Sequence, residues 1–176
     1  MSDWLPVIII GFAMVLVLGP VMWLKPNARD SRLAGMRSQA ARAGITVQIQ
    51  ALPAALGDGT AAVYYHRWQN PKGLQVGWIL ELQRIEHELN FSGQWDWAKG
   101  QPAPKDAWKY LHALLGELPR DICAITATQV GLGVQWRESG GDTSFQKLMS
   151  SLDKYSPLIE EAIRKMRPSP TTQELS

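Results

Sequence analysis

The hydrophobic pattern changes character along the chain. From Trp4 to Trp23 it is unbroken: WLPVIIIGFAMVLVLGPVMW has no charged residue between Asp3 and Lys25. A helix rises about 1.5 Å per residue, so this run is roughly 30 Å long, the thickness of a bilayer's hydrocarbon core. Trp4 and Trp23 stand at its ends, where an indole prefers the headgroup level. The pattern predicts a transmembrane helix over residues 4–24 behind a short outer tail, 1–3. A cleaved signal peptide fits less well, because Met1-Ser2-Asp3 offers no Lys or Arg and Val21–Leu24 is a poor cleavage site. A buried core helix is usually shorter and amphipathic, whereas this run is apolar all round.

Past Pro26 the period becomes helical. Leu33, Met36 and Ala40 fall on one stripe flanked by Arg32 and Arg37, which predicts a basic juxtamembrane helix within 25–44 that Gly44 ends. Such a helix either lies on the inner leaflet or connects to the domain, its stripe packed and its arginines in solvent. The narrow stripe of mostly small residues favours the connector.

From residue 45 the pattern alternates. Ile45–Leu52, Ala61–Gln69 and Leu74–Leu82 read as strands, with Asn70-Pro71-Lys72-Gly73 as a hairpin turn between the second and third. Residues 83–91 fit a strand and a helix alike, and the preceding hairpin tips them toward a strand of a meander. Residues 92–104, with Trp95-Asp96-Trp97, read as an aromatic loop. Lys105–Leu118 is an amphipathic helix, Asp121–Thr128 and Val130–Arg137 are short strands, and a last helix carries the stripe Phe145, Leu148, Met149, Leu152, Ile159, Ile163 and Met166. Asp142 or Thr143 is expected to cap it, and Pro157 to break or kink it near Ser156. The chain reads as an α+β protein: an N-terminal transmembrane helix, then a mainly antiparallel sheet with helices packed on one face. The α+β domain covers 45–167 and a disordered tail 168–176.

Charge sharpens the picture. Lys25, Arg29, Arg32, Arg37 and Arg42 follow the apolar run against Asp30 alone. Basic flanks stay in the cytoplasm, so the N-terminus is expected outside and the domain in the cytoplasm, on the bacterial inner membrane. Trp4, Trp23, Lys25, Arg29 and Arg32 are the expected membrane-interface residues, the bases meeting anionic lipid headgroups. Taking those five bases and Asp3 and Asp30 from totals of 18 and 16 leaves 13 Lys and Arg against 14 Asp and Glu over residues 43–176. A domain this close to neutral lacks the basic footprint of a nucleic-acid binder.

Little in the sequence spells out a reaction. His66, His87 and His112 sit on separate elements without ligand spacing, so no metal or cofactor is expected. Cys123, between Ile122 and Ala124, reads as a buried strand residue. Gly131-Leu132-Gly133 lacks the third glycine and the following helix of a dinucleotide fingerprint. The aromatic set Trp78, Trp95, Trp97 and Trp108 stands out, since tryptophans mark interfaces and clefts as well as cores. Trp95 and Trp97 are not both expected to point inward: one is expected to seal the core and the other to be exposed.

Lys25-Pro26, Arg29, Arg32 and Arg37, followed by Gly44 and Val47, give residues 1–45 a layout that resembles the small auxiliary subunit of the bacterial Sec preprotein translocase. The likeness covers about a quarter of the chain and lacks that family's glycine-rich β segment. The whole chain is similar to single-span inner-membrane proteins of proteobacteria. The resemblance implies one span leading into a β-rich cytoplasmic domain, with no translocase function carried over. The expected function is a non-enzymatic, membrane-anchored accessory or scaffold protein. It would bind a membrane protein partner through its domain, with Trp95, Trp97, His87 and Glu88 as the candidate interaction surface. The alternative is a membrane-tethered enzyme or small-ligand site near the Trp95–Trp97 loop.

Overall fold

The computed structural model describes residues 4–23, 27–84, 91–98 and 101–165, without the side chains of 17–23. The chain divides into two units, residues 1–35 and 36–176.

The first unit contains α1 (Leu5–Trp23) and the start of α2 (Ala28–Arg42). Among the described residues no helix is long and apolar enough to cross a membrane. This corrects the transmembrane helix expected over 4–24, and with it the single-pass reading. The large apolar side chains of α1, among them Ile8, Phe12 and Val15, are exposed around the helix.

The second unit is α+β. Six strands form one antiparallel sheet: β1 (Thr46–Ala51), β2 (Thr60–Arg67), β3 (Ile79–Leu82), β4 (Trp95–Trp97), β5 (Ile122–Ala127) and β6 (Gly131–Trp136). Their order is β1-β2-β6-β5-β3-β4. The register aligns Val47, Tyr64, Val134, Ile125, Leu80 and Trp97 in one row across all six strands. Side chains alternate along a strand, so this row marks one face of the sheet. Two helices that pack on each other, α3 (Lys105–Glu117) and α4 (Gly141–Ala162), accompany the sheet, and α4 lies against β2 on the marked face. Tyr64, Trp136 and Phe145 meet there with ring centroids 5.8–6.4 Å apart. The opposite face carries Val63, Gln135, Ala124 and Thr126, all buried. The β1–β2 connection, with a short 3₁₀ turn at Ala54–Leu56, folds over that face, and the Gln135 amide donates to the Ala51 carbonyl at 2.8 Å.

Several expected connections differ. Asn70–Gly73 is not a hairpin turn, because both sides of β2 are taken by β1 and β6 while β3 sits between β5 and β4. The segment is clamped to the end of α4 instead. The buried Glu160 carboxylate accepts from the N–H groups of Gln69 (2.7 Å) and Asn70 (2.8 Å), and Arg164 donates to the Lys72 carbonyl at 3.0 Å. α4 also runs through Pro157 without a break. Proline removes one helical hydrogen bond, but Leu152, Tyr155, Ser156 and Ile159 are buried on both sides of it and hold the helix to the core. Neither Asp142 nor Thr143 caps α4; the chain enters from Gly140 with no side-chain cap. Residues 85–90, most of the ambiguous 83–91 segment, lie outside the described residues, as does the whole of the expected tail, 168–176.

Met36 and Ala40 of α2 are buried, as a connector requires. Arg37, expected in solvent, instead pairs with Glu138, whose side chain is buried. Arg37 Nε donates to Glu138 Oε1 at 2.8 Å, and the buried Tyr64 hydroxyl donates to the same oxygen at 2.7 Å. The hydrogen bond to Glu138 holds the Arg37 pKa above its ordinary value. Burial pushes the Tyr64 phenol well up, and the carboxylate that takes its hydrogen bond pushes it further. Glu138 has φ +57°, and among the described residues it is the one non-glycine with a left-handed backbone. Such a conformation costs on the order of 1 kcal/mol or more and persists only where surrounding contacts fix it.

Glu138→Ala removes the acceptor for two donors. Charge-assisted hydrogen bonds contribute about 1.5–3 kcal/mol and an orphaned buried hydroxyl costs about 1–3, so the expected loss is about 2–4 kcal/mol by equilibrium denaturation. Adding Tyr64→Phe should then cost less than it does alone, because the hydroxyl no longer has a partner to lose. A pH test falls on Asp121, which accepts from both the N–H (2.9 Å) and the hydroxyl (2.6 Å) of Ser139. Burial raises its pKa, but the two Ser139 bonds outweigh that and hold the carboxyl below its ordinary value. The stabilisation is therefore present above the ordinary aspartate range, near pH 4, and is lost as pH falls through the depressed value. Asp121→Asn is expected to lose about 1 kcal/mol at pH 7. The gap to the parent should close in acid unfolding curves as pH falls below the ordinary aspartate range.

Candidate functional site

β4 is the last strand of the sheet, with β3 on one side only. The sequence reads as a loop there, and the strand forms because a tight turn precedes it. Ser92 and Trp95 exchange backbone hydrogen bonds at 2.9 and 3.1 Å around Gly93-Gln94. Gly93 has φ +55° while Gln94 does not share that sign, the arrangement of a type II′ hairpin turn. Gly93 does supply a turn, but before the tryptophans and not between them. Trp95 and Trp97 are therefore extended, and residues two apart on a strand share a face. Both are half-buried, opposite Leu82 and Leu80 of β3. This corrects the expectation of one inward and one exposed ring.

α3 supplies the facing wall. Trp108 and His112, four residues apart, project from one side of the helix toward the sheet edge. Phe91 sits among them. Its ring stacks on His112 (4.2 Å, 16°) and meets Trp108 (5.3 Å, 88°) and Trp97 (4.9 Å, 64°) edge to face. Trp97 also lies 5.9 Å from Trp78 at 88° and 6.1 Å from Trp108. These are the offset and T-shaped geometries that favour aromatic pairs beyond their buried area. Trp78 is buried, Phe91, Trp97 and Trp108 are half-buried, and His112 is exposed. The indole N–H groups of Trp78 and Trp108 are satisfied within the domain, donating to the carbonyls of Gln75 (3.1 Å) and Ala103 (2.9 Å). The Asp96 carboxylate accepts from the Trp97 N–H at 2.8 Å. Beside the cluster, a cleft of about 380 Å³ runs between Gln75–Trp78 and Gln101–Lys105.

The structure thus brings Trp78, Trp97 and Trp108 together and adds Phe91 and His112. Sequence reasoning placed Phe91 in an alternating strand and His112 among separate histidines. The one available signal was the spacing of Trp108 and His112 on one helical face. Trp95 shares the β4 face with Trp97. His87 and Glu88 lie outside the described residues. Of the expected membrane-interface residues, Trp4 is 78% exposed and Arg29 and Arg32 are exposed on α2. Lys25 and the Trp23 side chain lie outside the described residues.

Cys123 is buried, with Arg137 Nε donating to its sulfur at 3.3 Å. Gly131-Leu132-Gly133 is a packing motif: a Cβ on Gly131 would stand 2.1 Å from the His66 carbonyl oxygen, and one on Gly133 would stand 2.5 Å from the Tyr65 ring. Among the described residues no group of three or more His, Cys, Asp and Glu side chains is placed to hold a metal ion. The site therefore offers ring faces for packing, with the indole N–H groups of Trp78 and Trp108 already satisfied. The chain matches no known protein family, no curated protein and no solved structure.

Proposed function

We propose that this chain is a non-enzymatic accessory or scaffold protein that binds a protein partner through its α+β domain, and that the partner docks on the aromatic cluster at β4. The observation that carries this reading is a cluster of half-buried rings at β4, the end strand of the sheet among the described residues. Trp97, Trp108 and Phe91 hold one another in place, and the rigid surface they form keeps part of its area open. Fixed aromatic side chains lose little entropy on contact, and truncating such an anchor typically costs a complex 2 kcal/mol or more. Satisfied indole N–H groups on Trp78 and Trp108 favour apolar groups as the partner's contribution. The small-ligand alternative has one observation in its favour, the adjacent cleft of about 380 Å³, a size that accommodates small molecules.

The two tryptophans of β4 separate stability from binding. Trp97 touches three aromatic neighbours. Trp97→Ala is therefore expected to cost about 2–4 kcal/mol of stability, somewhat less than a fully buried ring. Trp95→Ala is expected to cost about 1 kcal/mol and to leave the domain folded. Thermal unfolding of both variants, run beside native co-purification of the parent's partner, checks this. Trp95→Ala should fold and lose the partner. A folded Trp95→Ala that retains its full complement of partner, together with a folded His112→Ala that does the same, would place docking elsewhere.

A further inference from the structure

Among the described residues, the strand at the other end of the sheet also has a neighbour on one side only. β1 pairs with β2 on one side, and its register runs without interruption from Thr46↔Tyr65 to Ala51↔Thr60. The next pair in that register is Leu52 and Gly59, and the Leu52 N–H donates to the Gly59 carbonyl at 3.0 Å. In an antiparallel ladder both backbone groups of alternate residues face the same neighbour. Thr46, Gln48 and Gln50 therefore direct their N–H and C=O groups at β2, and Val47 and Ile49 direct theirs outward. Ile45 obeys the same parity: its N–H is taken by the Ala40 carbonyl at 3.0 Å and not by β2. The Ala51 carbonyl is already taken by Gln135, which limits the free edge to Val47 and Ile49.

Natural edge strands are blunted by charge, proline, a bulge or shortness. Thr46–Ala51 has none of these: it is six residues of TVQIQA, and Ile49 is 52% exposed. We propose that this edge pairs with the same edge of a second copy of the chain, Val47 of each opposite Ile49 of the other and Gln48 opposite Gln48. A two-fold axis normal to the sheet places two identical strands antiparallel with equivalent faces on the same side. Only pairs of equal parity then stand opposite each other. The register with Val47 across from Ile49 uses all the outward N–H and C=O groups of both residues and none already occupied. It sets apolar beside apolar on the helix-covered face, and Gln48 beside Gln48 and Thr46 beside Gln50 on the other. The strand carries no charge, so nothing repels its own image. An unrelated extended segment would gain the backbone bonds but not this side-chain match. One strand pair falls below the roughly 1,200 Å² of stable interfaces, so the dimer exchanges, and trapping it is the suitable readout.

The test uses the full-length chain in a non-denaturing detergent, with cysteine placed at Gln48 or Gln50. Across a pair without mutual hydrogen bonds Cα atoms stand about 4.5 Å apart, within disulfide reach. Two cysteines at position 50 would be four residues out of register, about 14 Å apart and beyond reach. Cys123 is buried and common to both. At about 10 μM protein under mild oxidation, Gln48→Cys should form a covalent dimer roughly 100-fold faster than Gln50→Cys, because pairing holds the thiols at millimolar effective concentration. Adding Ile49→Lys should reduce the Gln48→Cys rate to that of Gln50→Cys. Equal rates for the two cysteine variants, or a Gln48→Cys rate unchanged by Ile49→Lys, would overturn the proposal.

Discussion

The structure depends on a sheet whose centre is buried on both faces. Every residue of β5 and β6 is buried, and β2 is buried from Ala61 to Tyr65. A strand in that position needs cover above and below, and the chain supplies two kinds. On one face α3 and α4 bring Leu111, Leu114, Phe145, Leu148, Leu152 and Ile159, all buried. On the other the β1–β2 connection, with its short 3₁₀ turn, provides the lid. That cover explains two residues unusual in a sheet centre. Gln135 is tolerated because its amide finds the Ala51 carbonyl. Gly133 is required because the Tyr65 ring occupies the space a side chain would take.

A closed centre pushes whatever remains open toward the ends. The row of side chains that crosses the sheet begins at Val47 and finishes at Trp97. One end is a plain aliphatic edge and the other an aromatic one set against α3. The Tyr64–Glu138–Arg37 network, by contrast, ties the beginning of the second unit to the core through a carboxylate held in a strained backbone. Removing one partner of such a network costs more than the network contributes over an apolar replacement.

Much of this was legible in the sequence. Mostly apolar runs at 122–127 and 131–136 announce strands, the stripes on α3 and α4 announce their buried faces, and the tryptophans stand out in the sequence. Strand order was not legible, since a turn such as Asn70–Gly73 has the same composition whether it closes a hairpin or is clamped by Glu160. β4 was hidden because three residues between glycines are too few for a period to show. The path of α4 through Pro157 depends on burial by distant strands, which local propensity does not contain. Arg37 read as one more base in a basic segment because its partner lies 101 residues away. The apolar run at the start was read by its full length, 4–23, and among the described residues no helix meets the length and apolarity that crossing a membrane requires.

A closed centre with an open aromatic edge makes a prediction about where the isolated domain loosens. Residue-resolved amide hydrogen exchange of the full-length chain, in the absence of any partner, measures it directly. Amides of β5 and β6 should exchange only with global unfolding, while those of β4 exchange through local opening and much faster. β4 amides as slow as those of β5 and β6 would mean that this edge is already closed by the chain itself, and would contradict the account.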